Sequence, residues 1–310
     1  MEIGMVGLGR MGLRLSQRLI RGGHRVVGYD PKPAARRAVA EAADKGSGAV
    51  GTAKAVASLD KLAALLKTPR VIWLMVPAGE VTDQTLEEIR PQLARGDTLI
   101  DGGNSNYQDS IRRAAAFATA GVGYVDCGTS GGIWGADNGF SLMLGGEEKT
   151  IAALAPIFAT LAPAPDKGWG RVGPSGAGHF VKMVHNGIEY GLMQAYAEGF
   201  AILAAKTAFG LDLRAVADIW RHGSVVRSWL LDLTAEALAK NPKLAGVAPF
   251  VADSGEGRWT VAEAIALDVP APVITEALIA RLRSRADNSF ADRLLAVMRA
   301  EFGGHAVKSE

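Results

Sequence analysis

The 310-residue sequence predicts an α/β domain built on a parallel-dominated sheet, followed by an all-α domain. Short apolar runs alternate with helical stretches through the first half, the pattern of a parallel sheet covered on both faces. A glycine- and proline-rich stretch, PAPDKGWGRVGPSGAG at 163–178, then breaks the chain. Beyond it the periodicity is helical throughout. These observations place the domain boundary at the break, with residues 1–176 in the first domain and 177–310 in the second.

EIGMVGL (2–8) reads as the first strand, and Leu13, Leu15, Leu19 and Ile20 mark the helix behind it. HRVVGYD (24–30) is a second strand ending at Asp30, where Pro31 and Pro33 interrupt regular structure before an alanine-rich helix. RVIWLMV (70–76), DTLIDGG (97–103), GYVDCG (123–128) and GFSLMLGG (139–146) are further strands. Between and after them TDQTLEEIRPQL, residues 109–120 and TIAALAPIFATLA are helical. In the second half, HFVKMVHNGIEYGLMQAYAEGFAILAAKTAF reads as one helix of about 45 Å at 1.5 Å per residue. LRAVADIWRHG, SWLLDLTAEALAK, TVAEAIALDV and VITEALIARLRSRA supply the rest of the helical domain.

Composition narrows the function. With 48% apolar residues and a net charge of +2, the chain can bury a full core. Its 34 basic and 32 acidic residues are interspersed, which argues against nucleic acid as a partner. No run of about 18 apolar residues predicts a membrane span, and MEIGMVGLGRMG lacks the layout of a secretory leader. The one cysteine, Cys127, suits a reducing compartment and reads as a small buried residue. A cytoplasmic location is expected.

Gly7, Gly9 and Gly12 in GLGRMG follow a strand and open a helix, the context of a Rossmann-type dinucleotide site. Gly7 permits a tight turn, Gly9 lets the backbone approach a pyrophosphate, and Gly12 lets helix meet strand. Leu8, Arg10 and Met11 complete that loop. Asp30, about twenty residues on, can accept hydrogen bonds from the adenosine ribose and repels a 2′-phosphate. NAD is therefore favoured over NADP, although Lys32, Arg36 and Arg37 offer positive charge nearby. Ligands of open parallel sheets sit beyond the carboxyl ends of the strands. Val76, Pro77 and Ala78, then Asn104 in DGGNSN, and then Ser130 in GTSGG occupy such loops.

Lys182, His185, Asn186 and Glu189 fall at i, i+3, i+4 and i+7, one stripe of a helix. Val181, Val184, Ile188 and Leu192 take the other side. An ordinary amphipathic helix with a solvated polar face would show the same spacing. Two features favour chemistry: the stripe follows the interdomain break directly, and it combines an amine with a carboxylate for separate proton transfers. A lysine acts as a base only when neutral, which requires desolvation or a neighbouring positive charge.

GLGRMG, DGGNS, SGG at 130–132, KMVHNGIEYG at 182–191, GEGRWT at 255–260 and FGGH at 302–305 together resemble 6-phosphogluconate dehydrogenase in its short, decarboxylating bacterial form, over nearly the whole chain. The resemblance implies oxidation of 6-phospho-D-gluconate at C3 with NAD, loss of CO2 and release of ribulose 5-phosphate, in pentose phosphate or gluconate metabolism. Lys182 would take the C3 hydroxyl proton and later return one to the carbonyl oxygen, and Glu189 would protonate C1 of the enediol. No metal is expected, because the 3-keto group accepts the electrons of the breaking bond and a protonated lysine can stabilise the oxyanion.

By the same resemblance, Ser130, Gly131 and Gly132 lie near the substrate carboxylate, and Asn104, His185 and Asn186 contact its hydroxyls and carboxylate. Tyr190 and Arg281 match phosphate contacts. Arg299 and His305 match a C-terminal pair that reaches a neighbouring subunit, which implies a homodimer or homotetramer sharing tails. The sequence departs from longer members at Ser254 and Pro77, where they carry lysine, and at Ile133, where they carry an acid. Asp30 stands where NADP-using members place a neutral residue followed by arginine. A β-hydroxyacid dehydrogenase resembling 3-hydroxyisobutyrate dehydrogenase is the alternative within the fold, and a non-catalytic NAD-binding module is the alternative outside it.

Overall fold

The computed structural model describes residues 1–44, 51–286 and 289–303. They form two compact units, Met1–His185 and Asn186–Glu310. The first unit holds strands β1 (Glu2–Val6), β2 (Arg25–Tyr29), β3 (Thr52–Val56), β4 (Val71–Leu74), β5 (Thr98–Asp101), β6 (Gly123–Ser130), β7 (Ser141–Gly145) and β8 (Trp169–Gly173). They make one sheet in the order β3-β2-β1-β4-β5-β6-β7-β8. All neighbours are parallel except β6 and β7, which run antiparallel.

Helices α1 (Arg10–Arg21), α2 (Pro33–Asp44), α3 (Leu59–Ala64), α4 (Glu80–Ile89), α5 (Tyr107–Ala118), α6 (Gly135–Asn138), α7 (Glu148–Ala153) and α8 (Ala155–Leu161) connect these strands. Two apolar clusters form the core. Ile3, Met5, Leu15, Leu19, Trp73 and Phe158 belong to one, and Val6, Val27, Leu62, Leu74, Leu86 and Phe117 to the other. Successive strand residues alternate between them, as a sheet buried on both faces requires.

Helix α9 (Ala177–Ala205) starts in the first unit and continues into the second. The second unit adds α10 (Leu213–Trp220), α11 (Trp229–Lys240), α12 (Glu256–Ala266), α13 (Pro272–Arg283) and α14 (Phe290–Gly303), with no strand among its described residues. Phe200, Ala217, Leu231, Ala235 and Leu238 form one of its cores, and Tyr190, Ala277 and Leu278 another.

The α/β-then-α architecture is the one expected from sequence. Three details differ. Strand β8 lies inside the glycine-proline stretch expected to be only a break, pairing with β7 through Leu142–Trp169 and Met143–Gly170. TAKAV, for which no strand was expected, pairs with β2 as the edge strand β3. TIAALAPIFATLA divides at Leu154 into α7 and α8, since Pro156 cannot donate within a continuous helix. The division into compact units falls inside α9, between His185 and Asn186. No helix among the described residues is long and apolar enough to cross a membrane.

In the second unit the buried side chain of Asp253 pairs with the half-exposed Arg258. Burial alone would raise its carboxyl, but hydrogen bonds from Arg258 and the Gly255 N–H outweigh that and hold it below its ordinary 3.8. The stabilisation is therefore complete above about pH 3.8 and is lost as pH falls through the depressed folded value. Because Arg258 is half-exposed, the pair is worth of order 1 kcal/mol. Urea unfolding from pH 6 to pH 2 should show a flatter acid limb in Asp253→Asn than in the parent; equal limbs would remove Asp253 from the account.

Candidate active site

Strand β6 presents Asp126, Gly128 and Ser130 on one face, since alternate strand residues point the same way. The first turns of α9 meet them. The Asp126 carboxylate accepts the Gly176 N–H at 2.6 Å and the His179 N–H at 2.9 Å, so a side chain from the sheet caps the helix N-terminus. A Cβ at Gly178 would collide with the Asp126 and Met143 carbonyl oxygens, and one at Gly128 would collide with the Lys182 Cβ. Glycine at both positions lets helix lie directly on strand.

This docking fixes the head of the stripe. Lys182 is only 7% exposed, and its Nζ lies 3.4 Å from His185 Nδ1. His185 Nε2 in turn lies 3.3 Å from Ser130 Oγ. Amine, imidazole and hydroxyl thus form a chain at the carboxyl end of β6. Gly131 and Gly132 follow with φ of +125° and +52°, conformations that favour glycine. Ile133 and Trp134 beyond them are exposed.

The burial along α9 is the opposite of the ordinary amphipathic alternative. Lys182 and Asn186 are buried, whereas Ile188 on the apolar side is 53% exposed, with Val181 and Leu192 also exposed. A helix chosen only for a solvated polar face would do the opposite.

At the carboxyl end of β1, the glycine loop separates packing from ligand space. A Cβ at Gly7, which has φ +89°, would strike the Met75 carbonyl, and one at Gly12 would strike the Gly7 carbonyl. At Gly9 a Cβ would meet nothing within 4 Å. The chain itself therefore needs Gly7 and Gly12, whereas the space over Gly9 is left open. Helix α1 has no side-chain cap and no acid in its first turn, so its N–H groups suit a pyrophosphate. Leu8 is buried beneath the loop, whereas Arg10 is exposed and Met11 half-buried.

Asp30 accepts the Leu8 N–H at 2.9 Å through one oxygen and the Lys32 N–H at 2.8 Å through the other. Each oxygen keeps a lone pair for a ribose hydroxyl. Arg36 donates to the Asp30 and Pro31 carbonyls, at 2.7 and 3.0 Å, so its charge is already engaged. These residues fit a dinucleotide, with the acid as the discriminating group. Val76 is half-buried, while Pro77, Ala78 and Asn104 are exposed on the loops after β4 and β5.

In the second unit, the Arg281 guanidinium stacks 3.5 Å above the Tyr190 ring and donates to the Ala252 carbonyl at 3.1 Å. Gly257 leaves no room for a Cβ against that ring. The Tyr190 hydroxyl and Glu256 Oε2 are buried without hydrogen-bond partners among the described residues. Ser254 precedes the turn into α12, Glu189 is half-buried on α9, and Arg299 is exposed on α14. His305 lies outside the described residues. Cys127 is fully buried, and burial pushes its thiol up to about 12, so it is a packing residue.

Residues 2–170 match the family described as the NAD binding domain of 6-phosphogluconate dehydrogenase, and residues 178–301 match its C-terminal domain. The chain belongs to the 6-phosphogluconate dehydrogenase family. The NAD(+)-dependent, decarboxylating 6-phosphogluconate dehydrogenase of Haloferax volcanii is 46% identical over 308 residues, spanning 99% of this chain and 98% of that one. A Bacillus subtilis relative is 43% identical over 310 residues and is covered in full. Among solved structures, Plasmodium falciparum 6-phosphogluconate dehydrogenase superposes with a TM-score of 0.83 at 29% identity, with all of this chain spanning 66% of that one.

Sequence reading missed Asp126 and Gly128 on β6 and Gly178 at the head of the stripe, which together position the helix. The available signal was an acid inside an otherwise apolar strand, GYVDCG. Removing the Asp126 carboxylate leaves two buried N–H groups unpaired, and Asp126→Ala should cost about 3 kcal/mol in urea unfolding. Gly128→Ala should displace Lys182 and lower kcat about 100-fold. Unchanged turnover in Gly128→Ala would show that the lysine does not depend on this contact.

Proposed function

We propose that the chain converts 6-phospho-D-gluconate to ribulose 5-phosphate and CO2. The observation carrying this reading is the buried Lys182, linked through His185 to Ser130 at the carboxyl end of β6. Bound NAD supplies the acceptor for the hydride from C3. Gly7, Gly9, Gly12 and the α1 N-terminus hold its pyrophosphate, Asp30 its adenosine ribose, and Val76, Pro77, Ala78 and Asn104 the loops beside the nicotinamide.

Lys182 removes the C3 hydroxyl proton as the C3–H bond breaks, leaving a 3-keto acid and a protonated amine. This step needs the amine in its neutral form. When the C1–C2 bond breaks and CO2 leaves, its electrons move to the C3 oxygen, and Lys182 returns the proton there. Glu189 then protonates the carbon that becomes C1 of the product. Ser130, Gly131, Gly132, His185 and Asn186 orient the carboxylate and hydroxyls, and Tyr190 and Arg281 bind the phosphate.

Arg299 and His305 complete the phosphate grip from a neighbouring subunit, in a homodimer or homotetramer. Support comes from α14, where Leu294, Leu295, Val297 and Met298 are all exposed within the chain. The single buried thiol agrees with work in the cytoplasm.

6-Phosphogluconate with NAD should yield NADH and CO2 in equal amounts; NADH without CO2, or equal turnover of a phosphate-free hydroxyacid, would overturn the reading. Lys182→Met should lower kcat by about 10²–10⁴ while NADH binding persists. Asp30→Ala should narrow the NAD over NADP preference in kcat/KM. Truncation before Arg299 should raise the KM for substrate far more than that for NAD.

A further inference from the structure

One buried cation joins the two loops that follow β4 and β5. Arg113, on α5, has a side chain only 2% exposed. Its Nε donates to Asp83 Oδ1 at 2.9 Å and its Nη2 to the Gly79 carbonyl at 3.2 Å, so half of the guanidinium grips the loop after β4 and the first turn of α4. Nη1 donates to Asp101 Oδ2 and to Ser105 Oγ, each at 3.2 Å, so the other half grips the loop after β5.

Asp101 extends the grip. It is fully buried and also accepts the Ser105 hydroxyl at 2.8 Å, the Tyr124 hydroxyl at 2.9 Å and the Gly103 N–H at 3.2 Å. Asn104 lies between two residues that Asp101 holds, and Gly79 directly follows Val76, Pro77 and Ala78. Burial works against the Arg113 charge, but the hydrogen bond to Asp83 and the negative charges of Asp101 and Asp83 outweigh it and keep the guanidinium cationic. A planar fork with five donors can serve both loops at fixed separation; an ammonium with three cannot hold that geometry.

We propose that Arg113 is a positioning residue for the nicotinamide end of the cofactor, setting the separation of the 76–79 and 101–106 loops. The proposal rests on the NAD reading above, but its test does not require turnover of 6-phosphogluconate. ADP-ribose shares every part of NADH except the nicotinamide, so comparing the two ligands isolates the end that Arg113 governs.

Arg113→Lys should bind ADP-ribose within about twofold of the parent and NADH about tenfold more weakly, by calorimetric titration. In the ligand-free protein, amides of 76–79 and 101–106 should exchange faster together, while those of β1 and β2 keep their protection. Equal weakening of both ligands would make Arg113 a general structural residue and overturn the proposal, as would unchanged NADH binding. Ser105→Ala, which removes one Arg113 partner without touching charge, provides the same comparison should the lysine variant not fold. Loss of the NADH-specific effect in Ser105→Ala as well would be decisive against it. Failure of the parent protein to oxidise 6-phosphogluconate would count against the proposed substrate and leave this comparison intact.

Discussion

The Asp126 carboxylate is the contact on which the arrangement of the chemistry depends. A strand ordinarily meets a helix through apolar side chains that hold the two about a side chain apart. Here a buried acid takes the N–H groups of Gly176 and His179, and glycines at 128 and 178 remove the side chains that would keep β6 and α9 apart. Charge at the helix N-terminus and backbone contact act together. Two strand residues beyond the cap is Gly128, opposite Lys182, and two further is Ser130, opposite His185. A period of two along the strand is matched to a period of three along the helix, and the lysine is placed by that register.

The register also governs the protons. His185 offers one ring nitrogen to the Lys182 amine and the other to the Ser130 hydroxyl. When Lys182 is protonated it donates to Nδ1, and the ring proton on Nε2 points to Ser130. When Lys182 is neutral its lone pair can accept from Nδ1–H instead, leaving Nε2 to accept from the hydroxyl. The tautomer of one imidazole is therefore coupled to the protonation state of the neighbouring amine. A lysine on a solvated face would have water for this partner and no such coupling.

Much of this was legible in the sequence where the signal is local. The glycines at 7, 9 and 12, the acid at 30 and the spacing of Lys182, His185, Asn186 and Glu189 each encode their geometry within a few residues. The direction of the stripe was not local. An exposed Ile188 and a buried Lys182 follow from which face of α9 meets β6, and that depends on Asp126, some fifty residues earlier in the chain. Strand β8 was hidden for a related reason. WGRVG has the glycines of a turn, and only its pairing with β7 makes it a strand. Arg113 likewise reads as one of two adjacent arginines on a helix, and only the fold sends Arg112 to the surface and Arg113 into the interior.

Buried charge is costly, and Asp101, Arg113, Asp126 and Lys182 are all buried in one unit. Replacing such groups by apolar ones is often neutral or stabilising, so stability alone does not explain them. Their partners do. Asp126 is satisfied by the start of one helix, and Asp101 and Arg113 by two loops and each other, so each has direction that a leucine would lack. The loops expected to carry the cofactor and the helix carrying the lysine are set by separate polar anchors in one sheet, at β5 and β6. These strands are adjacent and in parallel register through Asp101 and Asp126 themselves. The sheet thus fixes the loop that bears Asn104 relative to the lysine through a single backbone pair, which is a shorter and stiffer connection than side-chain packing across a core would provide.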